Sequence, residues 1–116
     1  MPVAALIPVQ DLQSCCAPLT WEPISRENAD AMARTLRAIA DPARLRLLSM
    51  VAAHADGEAC VCDLTEPLGL SQPTVSHHLR VLSDAGFLSR SKRGTWAYYR
   101  IVPGSLEAVA GLLTAV

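Results

Sequence analysis

The sequence predicts a mainly α-helical fold of the α+β class, in which two helices joined by a tight turn are followed by a two-stranded β-hairpin. Several segments carry apolar residues at three- and four-residue spacing, whereas the segment after Gly86 is rich in residues that favour extended structure. The 116 residues are 51% hydrophobic but only 4% aromatic, so the core consists mainly of Ala, Leu and Val, which suits small packed helices. A chain of this length is expected to form one modest core.

Residues 1–24 are expected to form an arm ahead of the folded domain, which occupies residues 25–116. The arm contains four prolines, shows no sustained period and carries the adjacent cysteines Cys15 and Cys16. Its opening, "MPVAALIPVQDLQ", lacks the basic residues of a signal peptide, and no apolar run is long enough to cross a membrane. We therefore expect a cytoplasmic protein whose four cysteines are reduced thiols.

Two helices are predicted before residue 55. Ser25 is expected to cap the first, which runs to about Ala40, and Pro42 suits the first turn of the second, which runs to about His54. The residues expected to face inward are Ala29, Met32, Ala33, Leu36 and Ile39 in the first helix and Leu45, Leu48 and Val51 in the second. The following segment, "HADGE", is predicted to be a loop.

A pair of helices with a glycine turn follows this loop. The third helix is expected to begin between residues 60 and 63 and to end at Leu68, after which Gly69 supplies the turn. Ser71 is expected to cap a fourth helix that ends near Asp84.

The fourth helix is expected to have one buried and one outward face. At about 100° per residue, Val75, Leu79 and Leu82 share a narrow apolar stripe. Polar side chains lie on the other side, and His78 flanks the stripe, where we expect a partly buried histidine with one hydrogen bond.

The segment "FLSRSKRGTWAYYRIV" predicts two short strands around Lys92-Arg93-Gly94. A last helix is predicted after Pro103, with an apolar stripe made of Leu106, Val109, Leu112, Leu113 and Val116. The stripes of the first and last helices are too apolar to be left in water on so small a domain, and this predicts a dimer.

Charge is distributed unevenly along the chain. The net charge is -1, but the stretch from Ser71 to Gly104 contains five basic residues and a single acid, Asp84, and so carries a charge of +4. A basic segment that follows two helices and a turn is typical of a winged helix-turn-helix, whose second helix enters the major groove of double-stranded DNA while the hairpin flanks it. The alternative is a solvated helix face beside an ordinary surface hairpin.

The candidate DNA-binding residues fall into two groups. Those expected to reach bases or phosphates from the fourth helix are Ser71, Gln72, Thr74, Ser76, His77 and Arg80, and those expected to neutralise the DNA backbone from the hairpin are Arg90, Lys92 and Arg93.

The cysteines carry the second chemical signal. Residues two apart on a helix lie about 200° around its axis, so Cys60 and Cys62 can bind one ion only if the helix begins there. Thiols at a helix N-terminus have a lowered pKa, which favours the thiolate that soft metals require. The spacing does not match the paired cysteines of structural zinc modules. The alternative is that all four cysteines are inert and buried.

Three segments together resemble the ArsR-SmtB family of metal-sensing repressors. They are "LRAIADPARLRLLSMV", "CVCDLTEPLGLSQPTVSHHLRVLSDAGFLSR" and "RGTWAYYRI", and the resemblance extends from about Arg34 to Ile101. The arm segment "CCAPL" is similar to that of arsenic-responsive members from actinobacteria.

The resemblance implies a homodimeric repressor that binds an inverted repeat as its operator and is released when a metal or metalloid ion binds. The first and last helices would form the dimer interface. Cys60 and Cys62 match the ligand motif position by position, whereas Cys15 and Cys16 match only a looser arm pattern. The inducer favoured is arsenite, As(III), or antimonite, Sb(III), with Cd(II) or Pb(II) as the alternative. A second metal site on the last helix is not expected, since "PGSLEAVAGLLTAV" contains no His or Asp.

Two other classes of function remain as alternatives. A thiol redox sensor would use the same cysteines to form disulfides on oxidation. An enzyme is not expected, because the sequence has no C-x-x-C motif, no phosphate-binding loop and no catalytic constellation.

Overall fold

The structure is a computed structural model that describes residue 9 and residues 17–114. Between residues 17 and 114 the chain forms five α-helices and a three-stranded antiparallel sheet. The helices are α1 (Arg26–Ile39), α2 (Pro42–Ala53), α3 (Val61–Leu68), α4 (Gln72–Asp84) and α5 (Ser105–Leu113), and the strands are β1 (Glu58–Cys60), β2 (Leu88–Arg93) and β3 (Trp96–Ile101). This is the winged helix-turn-helix arrangement that the sequence predicts.

The predicted caps fix the starts of the first two helices. The hydroxyl of Ser25 accepts a hydrogen bond from the backbone N–H of Asn28 at 3.1 Å, and the carboxylate of Asp41 accepts one from the N–H of Arg44 at the same distance. The backbone N–H of Arg44 also lowers the pKa of Asp41 below its usual value, because it stabilises the charged carboxylate. The starts and ends of both helices lie within one residue of those predicted.

Helices α3 and α4 form the predicted helix-turn-helix. Gly69 ends α3 with φ of 73°, a left-handed conformation that a side chain would strain. Val75, Leu79 and Leu82 are each 0% exposed and pack in one core with Leu64 and Leu68 of α3. The predicted apolar stripe is therefore confirmed, and burial of three large side chains fixes which face of α4 points outward.

The sheet has a third strand that the sequence does not predict. The "HADGE" segment contains a short 3-10 turn, Ala55–Gly57, and then enters β1, which pairs antiparallel with β3. The strand order is β1-β3-β2, so that β3 is central. The prediction of a two-stranded hairpin was incomplete, because a three-residue strand is too short to show an alternating pattern.

The inward face of α2 differs in part from the prediction. Leu45 is 54% exposed, whereas Leu47, which was not predicted to be buried, is 0% exposed. Leu48 and Val51 are buried as predicted. The apolar residues of this helix occur on more than one side, so spacing alone did not distinguish Leu45 from Leu47.

Some residues of the apolar stripes of α1 and α5 are buried in the core, and others remain at the surface. Met32 and Val109 are buried in the chain's own core, while Leu106 and Leu113 are 42% and 40% exposed. Val116 lies outside the described residues. Within residues 17–114, no helix is long and apolar enough to cross a membrane.

Candidate thiol site and nucleic-acid interface

Strand β1 delivers Cys60 to the N-terminus of α3. Cys60 is the N-cap residue, with extended backbone angles (φ −80°, ψ 152°), and its sulfur accepts a hydrogen bond from the N–H of Cys62 at 3.2 Å. In return, the carboxylate of Asp63 accepts a hydrogen bond from the N–H of Cys60 at 3.0 Å. This reciprocal capping box places both thiols at a helix start, the position that chelation by a C-x-C pair requires.

The two sulfur atoms of this pair converge. Cys60 and Cys62 are joined as a disulfide, with Cα atoms 5.1 Å apart. Cys60 is buried, whereas Cys62 is exposed. The backbone thus holds the two Sγ atoms where they can either bond to each other or, when reduced, bind one common ion.

A carboxylate and an imidazole lie beside the sulfurs. Sulfur and carboxylate ligand atoms of Cys60, Cys62 and Asp63 all lie within 4.8 Å of one another. Nε2 of His54, the C-cap residue of α2, lies 3.5 Å from Oδ2 of Asp63. Sequence reasoning did not include Asp63 in the site, although its place directly after "CVC" and three residues after the N-cap is a recognisable signal.

The described residues provide two thiols for this site. The trivalent arsenic or antimony ion expected from the sequence prefers three thiolates, so its site would need a third thiolate from elsewhere in the chain or from a second copy. The other two cysteines, Cys15 and Cys16, lie outside the described residues. Their proposed role as ligands therefore stays a prediction.

The outward face of α4 presents most of the predicted DNA-binding residues. Ser71, Gln72, Thr74, His77 and Arg80 are exposed, and Ser76 is half-buried. The hydroxyl of Ser71 donates to that of Thr74 at 2.9 Å and accepts from the Thr74 N–H at 3.4 Å, so these two residues cap the helix whatever else they bind. The side chains of Gln72, His77 and Arg80 are exposed and form no hydrogen bond within residues 17–114.

A cleft of about 460 Å³ separates α4 from the sheet. Ser76 and Arg80 line it on one side, and Arg90 and Trp96 line it on the other. Val61, the residue between the two cysteines, also lines this cleft. The thiol site and the cleft are thus joined through one residue.

The tip of the hairpin carries an ion pair that the sequence did not predict. Arg93 donates two hydrogen bonds to Glu58 of β1, at 2.7 and 2.9 Å. The hydrogen bonds from Arg93 lower the pKa of Glu58 and, in turn, raise that of Arg93, since each charge stabilises the other. Arg90 and Lys92 are exposed on β2, while the predicted turn lies one residue later, at Gly94-Thr95.

His78 occupies the half-buried position predicted for it. Its Nδ1 lies 3.1 Å from Nη1 of Arg44. The neighbouring ring of His77 is 5.8 Å away between centroids and is exposed. The two adjacent histidines therefore face different surroundings, as their separation of about 100° around the helix predicts.

Comparison with known proteins places these features in a family. The model of the bacterial regulatory proteins of the arsR family matches residues 41–90, which include the thiol site and all of α4. The chain is 37% identical to an uncharacterized HTH-type transcriptional regulator of Methanocaldococcus jannaschii, over 75% of this chain and 96% of the relative. It is 38% identical to the arsenical resistance operon repressor of Bacillus subtilis, over 67% of this chain and 70% of the relative. A cadmium resistance transcriptional regulatory protein CadC homolog of Staphylococcus aureus is 31% identical, over 67% of this chain and 63% of the relative.

The solved structures that resemble this chain are also transcriptional regulators. A possible transcriptional regulator for arsenical resistance superimposes with a TM-score of 0.61 at 34% identity, covering 68% of this chain and 79% of that one. The homodimeric winged helix-turn-helix domain of Mb0332 from Mycobacterium bovis gives a TM-score of 0.61 at 29% identity, covering 77% and 82%. The antimony-specific transcriptional repressor AntR gives 0.63 at 30% identity, covering 78% and 81%.

Proposed function

Because the chain belongs to the arsR family of bacterial regulatory proteins, we propose that it is a dimeric repressor which binds an operator in double-stranded DNA and is released by a trivalent metalloid. Cys60 and Cys62 are the thiolates that bind As(III) or Sb(III), and a cysteine of the arm, Cys15 or Cys16, supplies the third. The names of the arsenical resistance repressors and of the antimony-specific repressor among the similar proteins support this choice of inducer.

The observation that carries the proposal is the position of Val61. It is 8% exposed, stands between the two thiols and lines the cleft beside α4. A ligand that draws Cys60 and Cys62 toward an arm cysteine must move the first turn of α3, and Val61 moves with it. Leu64 and Leu68 transmit the same displacement to α4, because Val61, Leu64 and Leu68 of α3 share a core with Val75 of α4.

On DNA, the proposed contacts divide by chemistry. Gln72 and His77 read base edges from α4, supported by Ser76 and Arg80, while Ser71 and Thr74 hold the N-terminus of α4 against a phosphate. Arg90, Lys92 and Arg93 neutralise the DNA backbone. A dimer must present its two recognition helices at the spacing of two half-sites, so a small rotation of each weakens binding. About 1.4 kcal/mol of coupling changes the dissociation constant tenfold.

The dimer itself is supported by exposed apolar side chains. Leu106 and Leu113 of α5 are 42% and 40% exposed in the single chain, and Leu36 and Ile39 of α1 are half-buried. A second copy that packs against these faces would cover them. The homodimeric state of the Mycobacterium bovis domain supports the same assembly.

The proposal is tested by fluorescence anisotropy on operator DNA with reduced protein and arsenite. Arsenite is expected to release the wild-type protein, because ligand binding favours the conformer whose recognition helices no longer fit. Cys60→Ser and Cys62→Ser are each expected to bind DNA like the wild type and to lose most of the response. Retention of the response in both variants would contradict the assignment of the ligands.

Two alternatives within the same fold follow from particular observations. The CadC homolog among the relatives supports Cd(II) or Pb(II), which Asp63 could join in binding as an oxygen ligand. The pairing of Cys60 with Cys62 as a disulfide supports a redox sensor. Parallel titrations with arsenite, cadmium and peroxide distinguish the metalloid sensor, the cadmium or lead sensor and the redox sensor. Release from DNA by peroxide alone, abolished by reductant, identifies the redox sensor.

A further inference from the structure

Glu58 joins the strand that carries Cys60 to the tip of the hairpin. Its two carboxylate oxygens accept hydrogen bonds from the two terminal nitrogens of Arg93, at 2.7 and 2.9 Å. Nη2 of Arg100 lies 3.4 Å from the same carboxylate. The side chain of Glu58 is only 18% exposed, whereas that of Arg93 is 55% exposed, so the acid lies beneath the base that it holds.

Arg93 is held from a second direction by an aromatic ring. Its guanidinium carbon lies 4.5 Å from the centroid of Tyr98, within the range of a cation–π contact. Tyr98 is the register partner of Cys60 in the β1–β3 ladder, and Glu58 is the partner of Arg100. Both groups that hold Arg93 therefore belong to the ladder in which Cys60 lies.

The pairing changes what the hairpin offers to DNA. A planar guanidinium binds a carboxylate and a phosphate with the same two-pronged geometry, so Glu58 and a DNA phosphate are competing partners for Arg93. Arg90 and Lys92 have no ion-pair partner among residues 17–114. Of the three basic residues on β2, Arg93 is the one that forms an ion pair within residues 17–114. Its partner is Glu58 of β1, the strand that leads into the thiol site.

We propose that Glu58 is a positioning residue for DNA binding, which holds Arg93 on the sheet, competes with DNA phosphate for it and makes the hairpin follow movements of β1. The competition is independent of any inducer. The link between β1 and the hairpin during induction rests on the function proposed above.

The competition is tested with Glu58→Gln, which keeps the size of the side chain and removes its charge. Affinity for a random duplex is measured by anisotropy across a salt series. We expect several-fold tighter binding and a salt slope steeper by up to about 0.9, because Arg93, which the wild type shares between Glu58 and a phosphate, then neutralises the phosphate in full. Glu66→Gln is the matched control, since Glu66 is exposed on α3, has the same charge and forms no ion pair within residues 17–114. Equal slopes for the two variants would overturn the proposal.

A double-mutant cycle identifies the arginine concerned. In an Arg93→Gln background, Glu58→Gln is expected to leave the salt slope unchanged, because the base that it would release is absent. A slope that still steepens would overturn the assignment to Arg93 and point to Arg100 instead. Circular dichroism of each variant establishes that it is folded before its slope is compared.

The link to induction is measured on the operator, at salt concentrations chosen so that the wild type, Glu58→Gln and Glu66→Gln bind equally tightly. Glu58→Gln is expected to take up arsenite with unchanged thiol stoichiometry and to need several-fold more of it for half-release. Release curves that coincide with those of Glu66→Gln would overturn the link. If arsenite fails to release even the wild type, the proposed function is wrong, while the salt slopes still decide the competition.

Discussion

Arg44 at the start of α2 contacts His78 on α4, with Nη1 and Nδ1 3.1 Å apart. Because a guanidinium only donates, Nδ1 of His78 is the acceptor in this hydrogen bond. Arg44 also donates to the carbonyls of Ala38 and Arg37 in the last turn of α1, at 2.6 and 3.1 Å. One side chain therefore fixes the end of a proposed dimerisation helix to the helix proposed to enter the DNA groove.

Arg44→Ala is expected to lower the free energy of unfolding by about 2 kcal/mol, because three hydrogen bonds from a charged donor are lost and two carbonyls of α1 lose their partner. Urea unfolding measures the change. Arg46→Ala is the control. Within residues 17–114 its side chain forms one hydrogen bond, which is exposed and goes to the carbonyl of Pro67, so the substitution should change stability by no more than about 0.5 kcal/mol. Similar losses in the two variants would contradict the bridging role of Arg44.

Leu47→Ala is expected to destabilise the protein by about 2–5 kcal/mol, because a fully buried leucine leaves a cavity in the core. Leu45→Ala on the same helix removes the same atoms from a side chain that is 54% exposed and should have a small effect. Thermal unfolding of both variants tests which face of α2 packs inward. If Leu45→Ala destabilised the protein more than Leu47→Ala, the inward face of α2 would be the one predicted from the sequence.

Gln72→Ala and His77→Ala are expected to weaken operator binding by about 1–3 kcal/mol each, with little effect on a random duplex, because these residues are proposed to contact bases. Arg90→Ala should weaken binding to both duplexes alike and flatten the salt slope, because it is proposed to contact phosphate. Anisotropy titrations on the two duplexes provide the comparison. If all three variants behave identically, the division between groove and backbone contacts is wrong.

Cys15 and Cys16 are adjacent, so either is expected to replace the other as a third thiolate. The single serine variants should respond partially to arsenite, whereas the double variant should bind DNA and fail to be released. Thiol titration of the double variant after arsenite addition measures the remaining ligands. Full release of the double variant would remove the arm from the site and leave Cys60 and Cys62 to act with another group.

Asp41 caps α2, and hydrogen bonding to the N–H of Arg44 lowers its pKa from the usual value of 3.8. A carboxylate whose pKa is lower in the folded state contributes stability that is fully present above the unfolded pKa and is lost as the pH falls through the folded one. The melting temperature of the wild type is therefore expected to fall as the pH drops below about 4. Asp41→Asn keeps a capping group that does not titrate and should show a smaller fall; an identical pH profile would show that the cap contributes nothing to acid sensitivity.

Helix α4 could be predicted from sequence because its burial is one-sided. Val75, Leu79 and Leu82 recur at helical spacing among polar residues, and all three are fully buried. The opposite case is α2, where Leu45 and Leu47 are two residues apart and only packing against the rest of the fold decides which one is buried.

The thiol site was predictable in part. The C-x-C spacing and the need for a helix start singled out Cys60 and Cys62, and both lie at the start of α3. Their role as ligands stays a prediction. The pairing of Glu58 with Arg93 was not predictable, because 35 residues separate them and their contact depends on a three-residue strand. Interactions of this kind depend on tertiary register, which local patterns do not encode.

The two outer strands of the sheet differ in how they resist the addition of a further strand. Strand β1 has three residues, too few to template a long ladder, whereas β2 has six, of which five are exposed, including Arg90 and Lys92. Edge-to-edge pairing is the first step of many aggregation reactions. A short strand offers few hydrogen-bonding groups for it, and exposed cations on a strand disfavour it by charge repulsion. Pairing of two copies through a continuous sheet is therefore disfavoured at both edges, and the β2–β3 hairpin of each copy remains a separate arm.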